Sequence, residues 1–112
     1  MSETLAAILT ELHRQMETLY GDRLTQVVLY GSQARGDAEP GSDIDVLIVL
    51  KGPVDPGDEI TRVGGLTAWL SLQHNVVISC AFVSDERFQN EQSPFLLNVR
   101  REGVAIVSPA RR

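Results

Sequence analysis

Segments of helical periodicity alternate with short strand-like runs along the chain, and this alternation restricts the possible folds more than any other feature. Apolar residues from Leu5 to Leu19 recur at helical spacing, with Ser2 placed to cap this helix and Gly21 placed to end it. Runs rich in β-branched and large apolar residues predict strands. These runs are Leu24 to Tyr30, Ile44 to Leu50, Asn75 to Val83 and Val104 to Val107.

A long helix is predicted between the second and third strands. Gly52-Pro53 and Pro56-Gly57 bracket a surface loop, and Asp58 and Glu59 suit the positive end of the helix that follows. Gly64-Gly65 weakens this helix but does not exclude it. Its predicted buried face carries Ile60, Val63, Leu66 or Thr67, and Leu70.

Two shorter helices are predicted after the third strand. Ser84 is suited to cap a helix from Asp85 to Asn90, and Pro94 to open a last helix that Gly103 ends. The resulting order, αβ(α)βαβαβ, predicts a small α/β (α+β) sandwich.

Length and composition limit both the size and the class of the protein. A chain of 112 residues, 43% of them apolar, can bury one modest core, so we expect a single domain spanning residues 1–112. It has no run of 18 apolar residues, and Met1-Ser2-Glu3-Thr4 lacks the basic start of a signal peptide. We therefore expect a cytoplasmic protein without a membrane segment.

The net charge of −5 argues against direct binding to a nucleic-acid backbone. To bind a polyanionic nucleotide, the chain would need a local source of positive charge, and metal ions held by carboxylates would supply it. The basic pairs Arg100-Arg101 and Arg111-Arg112 fit a solvated end or a contact with an acidic partner equally well.

The first half of the candidate site leaves the first strand. It reads Gly31-Ser32-Gln33-Ala34-Arg35-Gly36-Asp37. Gly31 allows the backbone to approach a ligand closely, and Ser32 would open a helix turn whose free N–H groups favour an anion such as phosphate. Arg35 could reach a phosphate, or could pair with Asp37 or Glu39 to hold the turn.

The second half of the candidate site enters the second strand as Ser42-Asp43-Ile44-Asp45. Side chains alternate faces along a strand, so Asp43 and Asp45 point to one side while Ile44 points into the core. Two carboxylates on one face repel each other unless a cation intervenes, and Mg²⁺ prefers such oxygen ligands. Each half alone is most often only a turn or a capped loop, but both at this spacing are a far rarer pattern.

These two segments, residues 31–36 and 42–49, resemble the signature of the minimal nucleotidyltransferase (MNT) family, which belongs to the DNA polymerase β superfamily. The resemblance implies a mixed sheet flanked by helices. It places Gly31 and Ser32 at the triphosphate of ATP, and Asp43 and Asp45 on Mg²⁺ as catalytic residues. It also implies an antitoxin that transfers AMP from ATP to a tyrosine of a HEPN-type ribonuclease toxin.

The chain departs from the superfamily pattern at a third acidic position on the adjacent strand. The likely equivalents here are Val77 and Ser79, and neither is acidic. A tyrosine acceptor, whose phenol has a pKa near 10, would need less help from a base than a sugar hydroxyl, so catalysis could persist. Alternatively, the chain neutralises its partner by binding alone. A nucleotide-binding half of an enzyme for a small molecule is disfavoured by the short chain.

The sequence also predicts which of several residues outside the motif are buried and which are exposed. His13, on the polar side of the first helix, and His74 are predicted to be surface residues rather than metal ligands. Cys80, inside an apolar run, is predicted to be a buried and unreactive thiol. Trp69 and Leu72 lie off the main buried stripe, and they either complete the core or form an apolar patch that meets a partner. Ser93-Pro94-Phe95 either contributes to that patch or packs in the core, and core packing is the expectation.

Overall fold

The computed structural model describes residues 2–106, which form helices and strands in nearly the predicted order. The helices are α1 (Glu3–Tyr20), α2 (Gly31–Arg35), α3 (Pro56–His74), α4 (Asp85–Asn90) and α5 (Pro94–Glu102), and a 3-10 turn (Gly21–Arg23) follows α1. The strands are β1 (Leu24–Tyr30), β2 (Ile44–Leu50), β3 (Ile78–Ser84) and β4 (Val104–Ala105). Val107, the predicted end of the last strand, and the Arg111-Arg112 pair lie outside the described residues.

The strands form one mixed sheet in the order β3-β2-β1-β4. β1 runs antiparallel to both β2 and β4, whereas β2 and β3 are parallel. The parallel pair requires a long connection that returns the chain to the same end of the sheet, and α3 provides it. The prediction of a mixed sheet flanked by helices is confirmed.

Both faces of the sheet are covered, which explains why β2 is apolar on both sides. On one face, Ile44, Val46 and Ile48 pack in a cluster with apolar residues of α1 and α3. On the other face, Leu47 and Val49 pack with residues of α4 and α5. The second layer is thin because α4 and α5 are short.

The predicted helix ends are largely confirmed. The side chains of Ser2 and Ser84 accept hydrogen bonds from the backbone N–H groups of Leu5 and Arg87, at 3.0 and 3.2 Å. α3 begins earlier than predicted, because Asp55 caps it and Pro56-Gly57 form its first turn instead of a loop. Proline suits this position because backbone N–H groups in the first turn of a helix have no acceptor within the helix, so no hydrogen bond is lost when the N–H is absent.

The predicted buried face of α3 is wrong at its N-terminal end. Ile60 is 51% exposed, whereas Glu59 is only 4% exposed. The hydroxyl of Tyr20 at the end of α1 donates a 2.6 Å hydrogen bond to Glu59 Oε1, and Arg62 Nε lies 3.4 Å from the same carboxylate. α3 is therefore rotated from the predicted orientation at this end, and its buried carboxylate has the partners that burial of a charge requires.

The predictions for α1 are wrong at two residues. Leu19 is exposed, and the neighbouring Tyr20 is buried in its place. His13 is buried rather than on the surface, with Nδ1 3.3 Å from Glu17 Oε1 of the next turn. An aromatic side chain with a polar tip can cover the edge of a core in this way.

The third strand begins at Ile78, later than predicted, because α3 extends to His74 and ends at Asn75. Asn75 has a left-handed backbone with φ +53°, a conformation that asparagine adopts more readily than most residues. Trp69 and Leu72 are exposed on α3, so they do not complete the core. Within residues 2–106, no helix is both long and apolar enough to cross a membrane.

The buried hydrogen bond between α1 and α3 gives a test of this fold. We expect Tyr20→Phe to lower the free energy of unfolding by about 1–3 kcal/mol at pH 7, because the Glu59 carboxylate stays buried after losing its donor. Urea denaturation measures the loss. Ile60→Ala is the matched control and should change stability by less than about 0.5 kcal/mol. Equal losses in the two variants would contradict the burial of Glu59.

Candidate active site

The chain turns into α2 directly at the end of β1. Gly31 has φ +72°, a left-handed conformation that disfavours other residues, and no side chain caps the helix that starts there. α2 closes after one turn, where the N–H groups of Gly36 and Asp37 donate to the carbonyl oxygen of Ser32 at 3.0 and 3.2 Å. The predicted helix turn at Gly31 and Ser32 is therefore present.

Gly31 packs against Asp45 on the neighbouring strand. A Cβ atom at Gly31 would lie 2.5 Å from Asp45 Oδ2, a distance that forces a shift. Glycine is thus required here by its backbone conformation and by its contact with the carboxylate. The two halves of the motif, which are separate in the sequence, meet at this point.

The two carboxylates lie where the chain enters β2, an inner strand of the sheet between β3 and β1. Asp45 is paired in register with Tyr30 of β1 and Ser79 of β3. It shares its side of β2 with Leu47 and Val49, the face that α4 and α5 cover. Asp43 lies two residues earlier and is exposed, and the N–H of Ile44 between them donates to Val77 O at 2.8 Å.

The charges of this pair are not compensated by other groups. Burial, and then the negative charge of Asp43, raise the pKa of the Asp45 carboxyl above its usual range. In the described part of the chain, neither carboxylate accepts a hydrogen bond or forms an ion pair, and no group of three or more potential ligands surrounds a metal position. Two unpaired carboxylates close enough for the charge of one to act on the other fit a divalent cation that would take further oxygen ligands from a substrate.

The residue beside Asp45 on β3 is Ser79, so the register identifies which of the two sequence candidates lies at the third acidic position. Val77 precedes the strand and is exposed. A serine hydroxyl can donate a hydrogen bond but brings no charge.

Cys80, the next residue, belongs to the opposite face, where it packs against the core under α1 and α3. Burial raises the pKa of its thiol to about 12, which keeps it protonated at neutral pH. Cys80 is half-buried rather than buried, and the raised pKa of its thiol agrees with the predicted lack of reactivity.

Arg35 holds the turn rather than lying free. Its Nε donates to Asp37 Oδ2 at 3.2 Å, and its Nη1 lies 3.7 Å from Glu102 Oε2 at the end of α5. Of the two predicted partners, Asp37 is thus observed. The predicted alternative, Glu39, does not pair with Arg35; its backbone N–H donates a 2.9 Å hydrogen bond to Ser42 Oγ.

The sequence did not predict that α5 lies beside the candidate site. The rings of Tyr30 and Phe95 are 5.4 Å apart at 84°, an edge-to-face contact, and Phe95 is not a core residue. Burial, and then the charge of Asp45, raise the pKa of the Tyr30 phenol. In the sequence, Tyr30 could have been assigned to the site because it immediately precedes Gly31. No neighbouring motif indicated that Phe95 lies at the site.

Comparisons with known proteins agree with this geometry. Residues 9–101 match the family model described as a nucleotidyltransferase domain. A protein of Methanocaldococcus jannaschii, provisionally named a protein adenylyltransferase, is 37% identical over 94 residues, which cover 83% of this chain and 88% of the relative.

Two solved structures share the fold at low sequence identity. A nucleotidyltransferase structure from Sulfolobus solfataricus has a TM-score of 0.62 at 17% identity, covering 95% of this chain and 82% of that one. An MNT antitoxin complex with a tri-AMPylated HEPN toxin from Shewanella oneidensis gives 0.51 at 15% identity, covering 95% and 75%. These two likenesses concern the fold alone.

Proposed function

This chain belongs to the nucleotidyltransferase domain family, and from that premise we propose that it is an antitoxin that transfers AMP from ATP to a tyrosine of a HEPN-type toxin. The observation that carries the proposal is the packing of Gly31 on Asp45, which joins an open helix turn to a pair of unpaired carboxylates. The M. jannaschii relative is named for protein adenylylation, and the Shewanella complex contains an AMPylated toxin.

In this proposal, Asp43 and Asp45 hold Mg²⁺, while Gly31 and Ser32 bind the triphosphate through backbone N–H groups of the turn. Bound Mg²⁺ would neutralise the charge that develops on the phosphate oxygens during transfer. Asp37 and Glu102 hold Arg35 at the edge of the turn, from which its guanidinium would reach the phosphates. Residues 1–112 act together as one domain.

The transfer forms a bond between the phenol oxygen of the acceptor and the α-phosphorus of ATP. The bond from that phosphorus to the pyrophosphate breaks, pyrophosphate leaves, and the phenol proton passes to water. Ser79 cannot act as the base for this proton at neutral pH. A phenol, with an ordinary pKa near 10, is the acceptor that tolerates the missing carboxylate best.

Intact mass spectrometry tests the proposed activity. The purified chain is incubated with the protein encoded by the neighbouring gene, Mg²⁺ and each nucleoside triphosphate in turn. We expect the neighbouring protein to gain one or more AMP masses with ATP, and Asp43→Asn to abolish the gain. A stable complex without any mass gain would contradict the transferase.

A second function, neutralisation of the toxin by binding alone, is favoured by one observation, the serine at the third acidic position. The double variant Asp43→Asn/Asp45→Asn separates the two functions in cells that express the toxin. Loss of protection supports AMP transfer. Survival of these cells would remove catalysis from the mechanism.

Ser79→Asp tests whether Ser79 lies close enough to complete the acidic site. Without metal, we expect the variant to melt at a lower temperature than the wild type, because the new negative charge lies beside Asp45. A loss of roughly 1 kcal/mol in the free energy of unfolding lowers the melting temperature of a domain of this size by about 4 °C or more. Mg²⁺ should reverse this loss. Ser79→Asn is the neutral control, and its melting temperature should not depend on Mg²⁺ beyond the wild-type response. An identical response of both variants would place Ser79 outside the site.

A further inference from the structure

A cavity of about 180 Å³ lies between α2 and α5, beside the candidate active site. It is called here the α2–α5 pocket, and its lining includes Tyr30, Gly31, Arg35, Phe95, Asn98 and Glu102. That space suits one planar ring system and not a whole nucleotide.

The pocket adjoins the proposed phosphate turn, because Gly31 belongs to both. If the phosphates of a ligand bind at this turn, the rest of that ligand would lie in the pocket. The side of the site next to β3, where Ser79 lies, is separate from the pocket residues.

One wall of the pocket is aromatic. Phe95 is 46% exposed, and its ring stands edge-on to the ring of Tyr30, which fixes its orientation. A fixed and partly uncovered ring is a stacking surface for another flat ring. Bases of any sequence stack on such side chains because each base has a π face.

The pocket lining also carries hydrogen-bonding groups of α5. Asn98 Oδ1 accepts a 3.0 Å hydrogen bond from Arg101, while its amide nitrogen has no partner in the described part of the chain. The Glu102 carboxylate also lines the pocket; its Oε1 accepts a 3.3 Å hydrogen bond from Arg101 and its Oε2 lies 3.7 Å from Arg35, and each oxygen retains a lone pair for a further donor. A donor next to an acceptor matches the edge of a purine, where ring nitrogens alternate with exocyclic groups.

We propose that the α2–α5 pocket is the nucleobase subsite and takes the purine ring of the nucleoside triphosphate, with Phe95 as the stacking residue and Asn98 as the hydrogen-bonding residue. This inference rests on the proposed function. An acceptor tyrosine fits the pocket less well, because its single hydroxyl must lie at the α-phosphorus and would leave Asn98 and Glu102 unmatched.

Calorimetric titration of the full chain with ATP, and separately with inorganic tripolyphosphate, both with Mg²⁺, tests the subsite. Phe95→Ala should weaken ATP binding about tenfold, a loss typical of removing a base–aromatic stack, and leave tripolyphosphate binding unchanged. Leu97→Ala is the matched control: Leu97 is a similarly exposed apolar residue of α5 outside the pocket, and its loss should change neither affinity. Asn98→Ala should reduce the preference for ATP over UTP, because the adenine edge places an amino donor beside a ring-nitrogen acceptor and the uracil edge reverses this order.

The outcomes separate this inference from the proposed function. If the wild-type chain binds neither ATP nor tripolyphosphate, the proposed function fails. If both bind but Phe95→Ala weakens them equally, or weakens neither, only the nucleobase subsite is overturned. Unchanged ATP affinity together with slower AMP transfer would assign the pocket to the acceptor instead, and would also overturn the inference.

Discussion

Asp45→Asn is expected to lower the rate of AMP transfer by about a hundredfold or more, because it removes one of the two carboxylates proposed to hold Mg²⁺. A bound metal contributes several kcal/mol of charge stabilisation in such reactions, and each ~1.4 kcal/mol changes a rate tenfold. Quantitative intact mass spectrometry of the acceptor protein over time measures this rate.

The same substitution should leave the metal-free protein as stable as the wild type, or more stable. Burial and Asp43 raise the pKa of the Asp45 carboxyl in the folded chain. A carboxyl with a raised folded pKa adds stability below its unfolded pKa, and this contribution is lost as the pH rises through the folded pKa. At pH 7 the ionised Asp45 therefore destabilises the fold, and asparagine removes that effect. Urea unfolding at pH 7 with EDTA checks the direction.

Asp22→Asn is the matched control for Asp45→Asn, because it makes the same charge change at an exposed residue before β1. It should keep the wild-type transfer rate. A wild-type rate in Asp45→Asn would remove Asp45 from the site. A lost rate accompanied by a clear loss of stability would give Asp45 a structural role instead.

Gly31→Ala is expected to lower both stability and transfer. The left-handed backbone alone costs an alanine about 1–2 kcal/mol. The new Cβ would also lie 2.5 Å from Asp45 Oδ2, so the carboxylate or the turn must move. We expect transfer to fall by tenfold or more, since small displacements of reacting groups have large effects on rates. Denaturation and the mass-spectrometric assay together measure the two losses.

Gly41→Ala separates backbone strain from the contact with Asp45. Gly41 has φ +85°, and a Cβ there would meet nothing within 4 Å. Gly41→Ala should lose about as much stability as the left-handed backbone alone costs in Gly31→Ala, and it should keep the wild-type transfer rate. If the two variants lose transfer activity equally, the contact between Gly31 and Asp45 has no special role in the reaction.

The sequence by itself determined the features that depend on neighbouring residues. β1, β2, α4 and α5 lie where apolar runs, caps and breakers predicted them. The left-handed turn at Gly31 follows from the conformational freedom of glycine. Side chains alternate along a strand, so Asp45 lies on the same face of β2 as Leu47 and Val49. Together with the motif, these local rules were sufficient to predict the fold class and to propose the site.

Only the tertiary structure decided the features that join residues distant in the chain. Ser79, rather than Val77, is next to Asp45 because strand register is set by pairing across the sheet. The rotation of α3 depends on the hydrogen bond from Tyr20 to Glu59, and Arg35 meets Glu102 only because α5 folds back over the sheet. Periodicity and capping act over one or two turns, whereas register, helix rotation and the α2–α5 pocket depend on packing between segments that the sequence separates widely.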